Sequence, residues 1–286
     1  MEIDQETNIN NTVDRHKIAI IVAPNGARKS RLDHPAVPIT EQQIIQDVLA
    51  CRDAGAAMVH LHARDHQGHH SLAIDENISL LQAVKSALGD SIIIQLTTEA
   101  IAMYTPEQQM QLIYHAQPEA ASFALKELIP NDSYLSKAQT FFQWVADTGM
   151  IAQYILYSLD DIQRYFSLLK RGILPARHHH ILLVLGRYSQ FLQSSPRELL
   201  PLINNEILTS KHRWAVCAFG VQEQKCLVSA MLLGADVRVG FENNHVNSRG
   251  KMAKNNAEQV NNISDIADFL NIYRHNASSY RKALTS

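Results

Sequence analysis

Cysteine is scarce in this chain: Cys51, Cys217 and Cys226 are the three in 286 residues. They are too few and too scattered for a disulfide framework, and no Cys-x-x-Cys pair exists, which argues against a thiolate zinc site. Long apolar runs are missing too. No stretch approaches the ~18 residues a membrane span needs, and the polar opening MEIDQETNINNTVDRH has no apolar core of the kind a secretory leader carries. Nor is there an excess of charge of one sign, since 26 Lys and Arg stand against 28 Asp and Glu, a net −2. That balance does not point to nucleic acid or a membrane as partner. These absences fit a cytoplasmic protein with reduced thiols. With 46% apolar and 19% charged residues, it reads as globular rather than disordered.

What is present is alternation. Short β-branched runs at Lys17–Ala23, Ala57–His62, Ser91–Thr97, Ala120–Ala124, Met150–Leu156, His180–Leu185, Arg213–Ala218 and Asp236–Val239 read as strands. Amphipathic stretches between them read as helices. Thr40 with Gln43 forms a capping-box pattern, and Pro106 suits a first helical turn. Helices are also expected over Asp132–Thr148 and Pro196–Leu208, with a last one from near Gly250 past Leu270. Eight βα units in one chain predict a parallel sheet with helices outside it, closed as a (β/α)8 TIM barrel; an open doubly wound sheet is the alternative. Residues 1–16 are expected to be a disordered arm, and 17–286 a single catalytic domain.

A barrel places its chemistry where strands end. His60 and His62 lie two apart on a strand and therefore share a face, which suits two imidazoles to one divalent ion. The plainer alternative is one packed and one hydrogen-bonded histidine. Glu242, just past the last strand, would complete a His2Glu set with an open position, and otherwise caps a loop or pairs with an arginine. Thr97 and Thr98 end the third strand as candidate carboxylate binders. Glu99 is either an acid/base group or a residue favoured by a helix N-terminus. The loop Pro24–Arg31 carries Arg28, Lys29 and Arg31, which either remain as surface charge or meet an anionic ligand. The tract His178-His179-His180 precedes a strand, so a solvated entrance at the barrel bottom is expected. Cys217 and Cys226 have no nucleophile-like spacing, and Trp214 and Phe219 read as packing.

Taken in order, several segments resemble the β-keto acid cleavage enzymes, the family typified by 3-keto-5-aminohexanoate cleavage enzyme. They are His34–Thr40, Ala54-Gly55-Ala56, His60-Leu61-His62-Ala63-Arg64-Asp65, Ile94–Thr98, Leu183–Gly186, Trp214-Ala215-Val216 and Arg238–Glu242. The resemblance runs from Lys17 to the last helix. It implies a zinc-dependent barrel, usually a homotetramer, acting on a β-keto acid and acetyl-CoA. The products would be acetoacetate or acetoacetyl-CoA and an acyl product, formed by condensation and a retro-Claisen step. It maps zinc to His60, His62 and Glu242, substrate binding to Thr97 with Thr98 beside it, and the arginine of strand eight, a catalytic candidate, to Arg238; their places at strand ends add Asn25 as a candidate for substrate binding and Glu99 and Asn243 as candidates for catalysis. Two departures stand out. Asn243 replaces the acid that follows the zinc Glu in the typifying enzyme, and an amide is no general base at neutral pH. The segment Pro24–Arg28 lacks the acid that serves a cationic substrate there, so an amino-bearing keto acid is not expected. Glu99 is the candidate to supply the missing carboxylate.

Overall fold

The computed structural model describes residues 17–176, 179–189, 192–203, 207–208 and 212–285. The arm expected over 1–16 and His178 of the histidine tract lie outside them. Eight parallel strands close into a barrel: β1 Ile20–Val22, β2 Met58–Leu61, β3 Ile93–Leu96, β4 Ala120–Ala124, β5 Ile151–Leu156, β6 His179–Leu185, β7 Arg213–Ala218 and β8 Asp236–Val239. Closure comes from β8 beside β1, with Ile21 opposite Arg238 and Val22 opposite Val239. The open sheet is thereby excluded. The strands are buried on both faces, as a parallel sheet inside a ring of helices requires, and Ile20, Ile21 and Val22 have no exposure.

The helices begin where the local chemistry allows. Thr40 caps Glu41–Asp53, and its capping box with Gln43 is complete. That helix buries Ile44 and Val48, each contributing about 1.5–3 kcal/mol. Thr105 and Gln108 make the same box ahead of Pro106–Ala116.

Three expected helices differ. Asp132–Thr148 opens with a 3-10 turn, Asp132–Tyr134, before the helix Leu135–Asp147. Within Pro196–Leu208, whose residues 204–206 lie outside the described ones, the chain opens with a 3-10 turn at Pro196–Glu198 and a helix at Leu199–Leu202, in which Pro201 has no N–H to donate. The last helix begins at Asn256, where Asn255 accepts the Glu258 amide, and it stops at Phe269 ahead of Asn271 in the left-handed region.

The chain then returns. Tyr273–Arg274 pairs with Lys17–Ile18, and a helix follows at Ala277–Thr285. This closing helix packs Ala277, Tyr280 and Leu284 with Ile21, Met58, Ile93 and Leu182 of the barrel interior. It also overturns the solvated-entrance reading of the histidine tract. His180 is fully buried, with Nδ1 2.9 Å from Gln153 Nε2 and Nε2 3.3 Å from the Tyr280 hydroxyl. That hydroxyl donates to Asp236 at 2.8 Å, and Asp236 is paired to Arg213 at 2.6 Å. His179 points to the other face and meets the Tyr165 hydroxyl at 2.5 Å. No described helix is long and apolar enough to cross a membrane.

Candidate active site

The strands bring three sequence-distant ligating groups together at the mouth. His60 lies on β2 and His62 just beyond it, and their Nε2 atoms face each other at 3.1 Å. One Glu242 oxygen, Oε2, stands 3.2 Å from His62 Nε2 and 3.7 Å from His60 Nε2. Two nitrogens held about 2.0–2.1 Å from one tetrahedral ion would stand about 3.3 Å apart, so this spacing fits a divalent metal. It is the one group of metal-ligating side chains found among the described residues. Glu242 Oε2 is buried without a hydrogen bond, an orphan that an ion would satisfy.

Glycine makes this placement possible. Gly240 has φ +136°, and a Cβ there would lie 2.5 Å from the Ala23 carbonyl oxygen. Gly26 has φ +59°, and a Cβ there would lie 2.5 Å from Glu242 Cγ. A larger residue at 26 would press on Glu242 itself, and one at 240 would press on the Ala23 backbone, whose carbonyl accepts the Glu242 amide.

The electrostatics suit the same role. Burial pushes His60 down to about 4, against the pull of Glu242, and holds His62 well below the ordinary range. Both imidazoles are thus neutral, the form that binds metals. Burial alone would raise the Glu242 acid, but the Arg238 guanidinium, 2.8 Å from Oε1, keeps it ionised. Gln95 Oε1 lies 2.7 Å from His60 Nδ1, which places the proton on Nδ1 and frees Nε2.

A cavity of about 220 Å³ opens beside this cluster. His60, Thr97, Thr98, Glu99, Arg238 and Glu242 form one side of it, and Ala124, Ile155, Val184, Leu192 and Phe219 form another. Thr97 accepts the Glu99 amide at 3.0 Å, and no described acceptor takes its proton. The Thr98 proton is already spent on the Ser122 carbonyl at 2.8 Å. Burial, reinforced by the Glu242 charge, pushes Glu99 up to about 7, with Arg187 opposing. Its Oε2 lies 4.0 Å from His62 Nδ1.

Asn25 and Asn243 stand elsewhere, because neither lines the cavity. Asn25 donates at 3.2 Å to the carbonyls of both Pro38 and His62, so it fixes backbone rather than facing a ligand. The Asn243 side chain is buried with neither polar atom hydrogen-bonded. Sequence reasoning gave no role to two residues that touch the site. Gln95 sits two positions before Thr97 on the same strand face, and Arg187 follows Gly186 at the end of β6. The rule that chemistry sits at strand ends would have marked Arg187. Phe219, expected as packing, is a cavity wall, with the Arg187 guanidinium 5.4 Å from its ring centre. Arg28 and Lys29 also reach the cavity.

A closed eight-stranded parallel barrel with two histidines and a glutamate gathered at its C-terminal mouth has the layout of a metal-assisted barrel enzyme. Comparison with known proteins narrows the class. The model of the beta-keto acid cleavage enzyme family matches residues 17–285, and the chain belongs to that family. It is 28% identical over 260 residues to the 3-keto-5-aminohexanoate cleavage enzyme of Acetoanaerobium sticklandii, covering 88% of this chain and 92% of that one. It is 24% identical over 294 residues to the 3,5-dioxohexanoate:acetyl-CoA acetone transferase of Paraburkholderia graminis, covering 90% and 92%. Among solved structures, the fold resembles that of ObcA with a TM-score of 0.65 at 17% identity, covering 87% of this chain and 65% of ObcA.

Proposed function

We propose that this protein is a metal-dependent β-keto acid cleavage enzyme that uses acetyl-CoA as co-substrate. The observation that carries this reading is the His60–His62–Glu242 cluster opening onto a cavity with Thr97, Glu99 and Arg238 on the same side. His60, His62 and Glu242 would hold zinc or another divalent ion, since the same ligands suit several metals. Once bound, such an ion supplies Lewis-acid polarisation of the substrate's β-carbonyl.

The chain's own residues do the rest. The Thr97 hydroxyl, with its proton unspent, donates to the substrate carboxylate. Thr98, its proton committed to Ser122, holds the end of the strand in place. The Arg238 guanidinium keeps Glu242 ionised and brings a fixed positive charge to where oxyanion charge develops, usually a large contribution to catalysis. Glu99, held near neutrality, takes the proton from the carbon between ketone and carboxylate and later returns it. In this reading the lost acid at Asn243 is replaced by Glu99 from across the cavity.

The balance is simple. That carbon attacks the acetyl carbonyl and the thiolate of CoA leaves. The thiolate then attacks the original ketone, and the carbon–carbon bond breaks. A β-keto acid and acetyl-CoA become acetoacetate and a new acyl-CoA. The relatives' names, which include an acetyl-CoA acetone transferase and the 3-oxoadipate:acetyl-CoA acetyltransferase of Cupriavidus necator, support the same co-substrate. A cytoplasmic homo-oligomer, a tetramer by family resemblance, completes the reading, and sedimentation velocity tests the oligomer.

The direct test is mass spectrometry of metal-loaded protein incubated with acetyl-CoA and a panel of β-keto acids. A new acyl-CoA that requires both metal and acetyl-CoA is expected. Decay of the keto acid without acetyl-CoA would instead indicate a hydrolase or aldolase on the same barrel. Metal and ligand binding without any product would indicate a barrel that has lost catalysis.

A further inference from the structure

We infer that the group on the far side of the substrate's ketone is uncharged and apolar, and that Arg187 and Glu99 enforce this choice as a pair. The inference rests on the reading of the cavity as a β-keto acid site, and it assigns what that acid carries beyond the ketone.

The cavity has two unlike halves. β2, β3 and β8 supply the ligating and polar side chains. The ends of β4 to β7 and the turn after β6 supply Ala124, Ile155, Val184, Leu192 and Phe219, none of which offers a side-chain hydrogen bond, together with Tyr157, whose uncharged hydroxyl is the polar side-chain group of this wall. With the carboxylate held by the polar half, the remainder of the acid lies along this wall.

Two charges stand where the halves meet. Arg187, just past β6, reaches across to Glu99, just past β3, with Nη2 3.2 Å from Oε1. Their side chains are only 21% and 22% exposed, so each charge is answered mainly by the other rather than by water. The guanidinium face also rests on Phe219. The pair is neutral as a unit and offers no net charge to a substrate tail.

A carboxylate placed against Arg187 would also face Glu99, with Glu242 behind it. An ammonium placed against Glu99 would face Arg187, with Arg238 behind it. Either would have to pull the pair apart in a half-dry site, where an unpaired charge is costly. Other charges along the cavity do not alter this. Arg28 and Asp33 are exposed and Lys29 is half-buried, so water and salt screen them. An alkyl or aromatic tail meets Val184, Ile155 and Phe219 without disturbing either charge. Arg187 is therefore a specificity-determining residue.

The test is a matched set of 3-oxo acids of one chain length, ending in methyl, carboxylate or ammonium. Binding to zinc-loaded protein is measured by calorimetry at about pH 8, and turnover with acetyl-CoA is measured beside it. The methyl-ended acid should bind, and turn over, at least about tenfold better than either charged acid. In Arg187→Met, which leaves Glu99 unanswered, the ammonium-ended acid should gain about tenfold or more relative to the methyl-ended one. Arg187→Lys should keep the wild-type order. Wild-type preference for a charged tail, an unchanged ranking in Arg187→Met, or binding of none of the acids would each overturn the inference. Best binding of the methyl-ended acid without turnover of any acid would leave this inference standing and reject the proposed reaction instead.

Discussion

Gln95 is a residue whose removal should damage the metal site without touching a ligand. Its side chain is fully buried, and Oε1 meets His60 Nδ1 at 2.7 Å. That contact holds the imidazole in the tautomer whose Nε2 lone pair faces His62 and Glu242. In Gln95→Leu the ring loses this restraint, and a buried N–H is left without an acceptor. Such a loss costs about 1–3 kcal/mol of folding stability. Partners of this kind, behind a metal-binding histidine, typically govern 10–100-fold in affinity, or about 1.4–2.7 kcal/mol. Gln95 Nε2 has no hydrogen-bond partner of its own, so its loss adds no further cost. The expected result is zinc affinity weakened by about one to two orders of magnitude, measured by competition with a chromophoric chelator, with far-UV circular dichroism unchanged. Unaltered affinity in a folded variant would refute the reasoning, because His60 would then not need Gln95 to present Nε2.

Glu242→Gln should lose most zinc binding and also leave the Arg238 guanidinium buried without its partner, lowering stability by about 3–5 kcal/mol in urea unfolding. Glu99→Gln should abolish acyl-CoA formation while metal content by mass spectrometry stays at the wild-type level, and an active variant would remove Glu99 from the chemistry. Asp47 is raised by burial from 3.8 to about 7, with hydrogen bonds from Asn256 and Cys51 opposing. The folded chain therefore holds this proton more tightly than the unfolded chain. Stability from it is complete below about pH 4 and fades as pH rises to about 7. The stability difference between wild type and Asp47→Asn should accordingly fall over that window by on the order of 2–4 kcal/mol; a flat difference would show that Asp47 stays ionised. Tyr280→Phe should cost about 1–3 kcal/mol, because it removes the hydroxyl that meets Asp236 and His180, and should leave kcat/KM unchanged.

The barrel was legible because each strand announces itself locally. Runs such as KIAIIVA and SIIIQLT are short, β-branched and bounded by turn residues, and capped helices such as Glu41–Asp53, with its Thr40 and Gln43 box, punctuate them. The ligand cluster was legible for a related reason. A two-residue spacing fixes a shared face for His60 and His62, and closure of the barrel brings the end of β8 to β2. What escaped notice depends on contacts between distant segments. Nothing local in Ala277–Thr285 says that Tyr280 enters the barrel to meet His180, so the histidine tract read as solvated. Asn25 was credited with substrate because it follows a strand, but its amide turns to the Pro38 and His62 carbonyls. Arg187 and Glu99 are far apart in the chain, and only the cavity shows that their charges answer each other.

The most direct test of the account follows the acetyl carbons. Metal-loaded protein is given a 3-oxo acid and acetyl-CoA carrying carbon-13 in its acetyl group, and the products are resolved by mass spectrometry. The account predicts labelled acetoacetate and an unlabelled acyl-CoA derived from the 3-oxo acid, with neither formed by His62→Ala. Label recovered only in acetyl-CoA or free acetate, while the 3-oxo acid is consumed, would contradict it.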